Sequence, residues 1–295
     1  MMPAKIIVDA KVMLVLFLFV IMFLIAIPAY QGGTAAQDKL KPEEIVAKHL
    51  ESIGSAEQRA PGRSRTAIGA SLMSLRTGVR GQASGPALIA SKDNTVLINA
   101  TFESPDYPFE RMSYDGDKVV VKQFKPGSRT PIGEFFLSYD EIFKEGIIGG
   151  TLSAAWALLH LDKKNPKLKY DGTDKIDEKK VYKIRYEPRK GSDLKIKLFF
   201  DAETFRHIRT EYERVVAAQM GANARDSVNQ RETRLKLVEN FSGFVPAAGL
   251  TLPQKYSIEF TVISRSNPLV IDWTFDFTKF AFNQPVNVAE FQNEK

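Results

Sequence analysis

Apolar positions recur first every three to four residues and then every two, and this change of period lays out the elements. Ile45, Val46, His49, Leu50 and Ile53 share one face of a helix that Pro42 opens and Gly54 can close, with Glu43 and Glu44 complementing its positive end. His49 lies at the edge of that stripe and reads as a packed core residue, because no second histidine or carboxylate cluster accompanies it. From Arg65 the period is two. Ile68, Ala70 and Leu72 alternate with Ala67, Gly69 and Ser71. Val96, Ile98, Ala100 and Phe102 form a further set, after Ala87-Leu88-Ile89-Ala90. The glycine-rich stretch from Thr77 to Pro86 reads as a loop between these runs. Asp115-Gly116 ahead of Val119-Val120-Val121 is a hairpin signal.

Two short helical patterns interrupt the strands, Tyr139 to Glu145 and Leu152 to Leu161, separated by Gly146, Gly149 and Gly150. Leu152, Ala155, Trp156, Leu158 and Leu159 make the second apolar on most sides, which suits a lid over a sheet or an ordinary connecting helix. Alternation then sharpens. Tyr182, Ile184 and Tyr186 are followed by Leu194, Ile196, Leu198 and Phe200, and later by Leu235, Leu237 and Phe241. Tyr256, Ile258, Phe260 and Val262 precede Ile271, Trp273, Phe275 and Phe277, and each set faces charged or hydroxyl neighbours. His207 falls with Arg209 and Glu211 on a polar parity and reads as solvated. Residues 215–229 have no period and read as a long connection. Such two-sidedness predicts a mostly β, α+β fold built on an antiparallel sheet with one wet and one apolar face. Residues 37–295 carry no linker and read as a single domain.

The N-terminus departs from this pattern. Lys5 and Lys11 precede an unbroken apolar run from Val12 to Ile27, and small residues follow to Ala36. That order describes a secretory signal over residues 1–36, or an inner-membrane anchor if it is not cleaved. The chain is therefore expected to work outside the cytoplasm. It has no cysteine, which excludes disulfides, thiolate metal sites, a cysteine nucleophile and a lipidated N-terminus. The formal charge of +6 is spread over the strands, without the arginine-rich run or recognition helix that nucleic acid would call for. It suits anionic headgroups or an acidic partner, and equally ordinary solubility.

Motifs that carry chemistry are missing. His49, His160 and His207 lack metal-ligand spacing, and there is no zinc-protease, P-loop or dinucleotide pattern. Gly81-Gln82-Ala83-Ser84-Gly85 has its serine one place too late for a nucleophile elbow. No catalytic residue, metal or cofactor is expected, and the chain reads as a non-enzyme. Three helices centred near Val46, Ile142 and Trp156 are too few to cover nine to eleven strands, which leaves an apolar groove or else a closed core. The candidate groove residues are Trp156 and Leu159 on the lid, with Ile258, Phe260, Ile271, Trp273, Phe275 and Phe277 on the sheet.

The order of these elements resembles the LolA/LolB-like lipoprotein-carrier superfamily. The residues that carry the resemblance are His49-Leu50-Glu51-Ser52-Ile53-Gly54, Lys180-Val181-Tyr182-Lys183-Ile184-Arg185-Tyr186-Glu187-Pro188, the strand from Leu194 to Asp201, and Thr204-Phe205-Arg206-His207-Ile208. The resemblance implies an unclosed antiparallel β-barrel, or strongly curved sheet, whose concave face is covered by helices. It implies a periplasmic carrier of lipid or lipoprotein acyl chains that passes them to an envelope acceptor, an inner- or outer-membrane protein among its partners. A protein-binding sensor of envelope state on the same scaffold is the alternative. The family's lid is latched by an arginine of an early strand. Arg65, Arg76 and Arg80 are the early arginines here, and the resemblance does not choose among them.

Overall fold

The computed structural model describes residues 40–60, 64–77, 81–217, 232–264 and 268–284. The proposed signal segment lies outside them, as does Arg80. Among the described residues no helix is long and apolar enough to cross a membrane.

Among the described residues, twelve antiparallel strands form one sheet in the order β5-β4-β3-β2-β1-β12-β11-β10-β9-β8-β7-β6. Their ranges are β1 Arg65–Leu75, β2 Gly81–Lys92, β3 Thr95–Thr101, β4 Phe109–Tyr114, β5 Val119–Val121 and β6 Lys167–Ile176. The remainder are β7 Lys179–Glu187, β8 Lys195–Asp201, β9 His207–Val216, β10 Thr233–Ala247, β11 Leu250–Ile263 and β12 Leu269–Phe282. Two meanders, β1–β5 and β6–β12, are joined where the last strand pairs with the first, Ala70 opposite Asp276 and Leu72 opposite Thr274. The sheet is open: β5 and β6 are its two edges. Residues 122–166 connect those edges, so this insert has to cross from one side of the sheet to the other.

The helices are α1 (Pro42–Ile53), α2 (Pro131–Ser138), α3 (Glu141–Lys144) and α4 (Leu161–Lys164), with single 3-10 turns at Gly150–Leu152 and Ala157–His160. The first is placed as its apolar stripe predicts, burying Ile45, Val46, His49 and Ile53. The expected helix from Leu152 to Leu161 does not form. Its backbone instead bonds to sheet side chains: Ala154 N–H donates to Ser91 Oγ at 2.8 Å, and the carbonyls of Thr151 and Ser153 accept from Arg65. Those groups are then not available for an i→i−4 ladder. The helix α2 lies ahead of the pattern that marked the region. Thr130 caps it through an Oγ1 that accepts from Gly133 N–H at 3.0 Å, and Pro131 occupies its first turn.

Two strands were not read from the sequence as strands along their full length. Residues 81–86, taken for a loop, belong to β2 and pair with β1, Leu72 opposite Ser84. A Cβ on Gly85 would lie 1.9 Å from the carbonyl oxygen of Thr101, so glycine there serves the approach of a neighbouring strand. The edge strand β6 was missed because its residues are mostly charged or half-exposed and its pairing shifts between Tyr170 and Thr173. The Asp115-Gly116 hairpin forms as expected, with Asp115 Oδ1 accepting from the N–H groups of Asp117 and Lys118 at 2.9 Å.

Candidate functional site

One face of the sheet is apolar and buried. Cross-strand register places Ile258 opposite Trp273, Phe260 opposite Ile271 and Tyr256 opposite Phe275, so five of the candidate residues converge on this inner face, and buried Phe277 follows on the same parity. Phe241, Tyr256, Phe275 and Phe277 stack in a row across β10, β11 and β12, with ring centroids 5.1, 5.3 and 6.0 Å apart. Trp156 comes down onto the same face from the insert. Leu159 stays half-buried at the rim, beside Arg59, Arg65 and Phe282.

The space a ligand would take is filled by the chain itself. Ile132, Phe135, Phe136, Ile142, Phe143, Ile147, Ile148, Leu152 and Trp156, all from the insert, are buried. Phe135 meets Phe260 at 5.0 Å between centroids, and the turn at Gly150–Leu152 touches β1, β9 and β11. A Cβ on Gly150 (φ 47) would lie within 3.1 Å of His207 and Phe241, which explains the glycine at the deepest point of the insert. A separate hollow of about 600 Å³ is lined largely by small outward residues of β1, β2 and β10–β12, among them Ala70, Ser84, Ser242 and Thr274. It therefore lies mainly on the opposite face.

Polar pins hold the insert down. Arg65, buried on β1, donates Nη1 to the carbonyl oxygens of Thr151 and Ser153. Of the two early arginines among the described residues it is the one that meets the insert. Arg76 instead pairs with Glu259 and Asp272 on the exposed side. Burial lowers the Arg65 pKa to about 10, still far above neutrality, so it stays a cation and donates. Replacing it by methionine strands two buried carbonyls. Arg65→Met should lower stability by about 1–3 kcal/mol and raise the binding of a hydrophobic dye. Urea denaturation checks this, and a shift below about 0.5 kcal/mol contradicts the role.

On the far side of the insert stands Glu239 of β10. Its carboxylate accepts from Gly149 N–H at 2.8 Å and from the hydroxyls of Tyr212 and Tyr256, both at 2.6 Å. Burial pushes its pKa up to about 7, against the pull of those three donors. Glu110, also buried, takes the Tyr107 hydroxyl at 2.7 Å and lies beside Thr130 at the start of the insert, and burial raises it likewise to about 7. At the other end Tyr186 donates to Glu145 at 2.7 Å.

The histidines complete the seat. Trp156 Nε1–H donates to His49 Nε2 at 3.1 Å, and His49 Nδ1 lies 3.0 Å from the Phe205 carbonyl oxygen. One ring nitrogen must accept and the other must donate, which fixes a neutral Nδ1–H imidazole. Burial lowers its pKa to about 3, consistent with that form. His207 stacks on Trp156 at 4.8 Å and is buried, not solvated as its sequence neighbours suggested. The reason is a shift in register: Phe199 pairs with Arg209 but Phe200 pairs with His207, so the bulge at Ile208 turns His207 inward while Arg209 and Glu211 stay out.

The sequence marks Arg65 only as one of three early arginines and does not single out Ser91 or Glu239. Glu239 did carry a signal, since it occupies the apolar parity between Leu237 and Phe241. Among the described residues no group of three or more His, Asp or Glu could hold a metal ion.

No family model matches the chain, and no curated protein matches it. Solved structures do. A LolA superfamily protein from Nitrosomonas europaea is 11% identical with a TM-score of 0.44, over 86% of this chain and 99% of that one. A putative outer membrane lipoprotein-sorting protein domain from Vibrio parahaemolyticus is 11% identical with a TM-score of 0.41, over 85% and 97%. A DUF1329 family protein from Desulfovibrio piger is 12% identical with a TM-score of 0.36, over 85% and 98%. The first belongs to the superfamily that the sequence resembles.

Proposed function

We propose that this chain is a non-catalytic envelope carrier that takes up acyl chains of a lipid or lipoprotein on the inner face of its sheet. Residues 131–153 of the insert move aside on loading, and the chains pass to an acceptor in the periplasm. The observation that carries this reading is that the aromatic and aliphatic inner face is covered by a segment continuous with the sheet only at its two edge strands and otherwise held by apolar packing and a few polar pins. A core built as one piece would need no such arrangement. The insert acts as the occupant when no ligand is bound.

Magnitudes make the exchange feasible. Burying a large apolar side chain gains roughly 1.5–3 kcal/mol. A 16-carbon acyl chain gains roughly 12 kcal/mol at about 0.8 kcal/mol per methylene. One chain therefore offsets the seating of about half the insert, and two or three chains offset all of it. The polar pins add only a few kcal/mol, enough to keep the empty protein closed without preventing loading.

Native mass spectrometry of the chain expressed with export to the periplasm is expected to show an acyl-lipid adduct that is lost on delipidation and regained on adding lipid. A spectrum free of adduct, with no uptake of a fluorescent fatty acid, removes the carrier reading.

A further inference from the structure

At one end of the sheet a pocket of about 380 Å³ opens beside the insert, lined by Asp93, Asn94, Ala155, His160, Lys163 and Lys164. Its wall includes Ala155, the residue before Trp156, so it adjoins the seat of the insert. A second, narrow cavity shares Asp93 and His160 with it and adds Arg59 and Arg65. Across both, four cations face one carboxylate among the described lining residues.

Three of them are held by carbonyl oxygens, Arg59 by Gly54, Arg65 by Thr151 and Ser153, and Lys164 by Lys144, while Lys163 is exposed. Lys163 and Lys164 form the last turn of α4, which Asn165 ends in a left-handed conformation (φ 44). Neither has a carboxylate at ion-pair distance among the described residues. Lys164 donates to the carbonyl oxygen of Lys144, and its half-buried ammonium is made less basic by burial, with only a weaker opposing influence from Glu145. His160 Nε2 lies 3.0 Å from the Ala154 carbonyl oxygen, which sets its ring at the mouth. A desolvated ammonium facing an open pocket gains most from an anion that can accept several hydrogen bonds at once, as a phosphate does.

We infer that this pocket holds the phosphate of an anionic phospholipid headgroup whose acyl chains lie on the inner face of the sheet. The inference rests on the acyl-carrier reading and narrows its cargo from any acyl chain to one with an anionic head. Asp93 sets a limit on charge, since it faces the same space and disfavours a second anion.

Two fluorescent phospholipids with identical chains, a phosphatidylglycerol and a phosphatidylcholine, separate the two claims. The wild-type chain is expected to bind the phosphatidylglycerol about tenfold more tightly, with the preference shrinking as salt rises. Lys163→Gln/Lys164→Gln should bring the ratio close to one, by weakening phosphatidylglycerol more than phosphatidylcholine, whose choline cation already offsets its phosphate. Lys163→Gln alone, at an exposed position, should reduce the ratio partway and guards against a folding defect in the double variant. Equal affinity for the two lipids in the wild-type chain, or a ratio unmoved by either variant, overturns the headgroup inference and leaves the acyl reading intact. Uptake of neither lipid overturns both. Thermal stabilisation by inorganic phosphate with neither lipid bound assigns the pocket to free phosphate and also overturns the inference.

Discussion

Glu239→Ala is expected to cost about 3–5 kcal/mol of stability at pH 6 and, in the same protein, to tighten acyl-lipid binding. The carboxyl group, largely protonated at this pH, is the hydrogen-bond partner of Gly149 N–H and of the hydroxyls of Tyr212 and Tyr256, all buried. Its removal strands three donors at about 1–3 kcal/mol each, less whatever relaxation or water recovers. Gly149 belongs to the insert, so part of this loss falls on the closed arrangement alone. Affinity for a ligand that needs the insert displaced is reduced by the fraction of molecules already open. Destabilising closure by about 1.4–2.8 kcal/mol should therefore tighten apparent binding by about 10- to 100-fold. A rigid core predicts lost stability with no gain in affinity.

Glu239→Gln isolates the charge. Burial raises the carboxyl from 4.5 to about 7, so between those values the folded chain holds a proton that the unfolded chain has released. Stability from this group is full below pH 4.5 and is lost as pH climbs through 7. The glutamine variant lacks that loss, and its stability relative to the wild-type chain should grow by roughly 3 kcal/mol across the window. Urea denaturation of both proteins at pH 4.5 and pH 8 measures the difference. A gap that stays constant with pH contradicts the buried, titrating carboxylate.

The second large effect is expected at Trp156. Its indole is fully buried, stacks on His207 at 4.8 Å and donates to His49. Trp156→Ala should cost about 3–5 kcal/mol, from lost burial and the cavity that remains. Trp156→Phe keeps most of the ring contact and loses the N–H, leaving His49 Nε2 without its donor, so about 1–2 kcal/mol is expected. Denaturation midpoints order the three proteins. An alanine variant within 1 kcal/mol of the wild-type chain would mean that the insert is not seated by this residue.

The large architecture was legible because its strands obey a simple rule. Where one face is buried and the other wet, alternation fixes which side chains share a face, and Ile258, Phe260, Trp273 and Phe275 were grouped correctly for that reason. The rule fails where the backbone departs from two-residue periodicity. A bulge put His207 on the wrong side, and a strand of glycine, serine and proline beside Ala83 looked like a loop because close strand approach there calls for small residues. A short helix forms within Tyr139 to Glu145 as the pattern predicts, whereas apolar residues on most sides made Leu152 to Leu161 resemble a buried helix. The insert's true course depends on partners far away in sequence, Arg65, Ser91 and Glu239, which periodicity does not see. Arg65 stood among three early arginines, and only the fold distinguishes the one pointing at the insert from Arg76 on the exposed side. Glu239 is a carboxylate on an apolar parity, a local conflict of the kind that marks a functional or strained position.

The central claim is that acyl chains reach the inner face by displacing the insert. Both tryptophans of the chain, Trp156 and Trp273, lie on that face, one from the insert and one from the sheet. Bromine on an acyl chain quenches indole emission only on close approach. Titration of the Trp156→Phe variant with a dibrominated 18-carbon fatty acid should therefore quench Trp273 saturably, whereas the unbrominated acid should not. Undiminished Trp273 emission, with the brominated chain bound at saturation and the protein folded, would contradict the account.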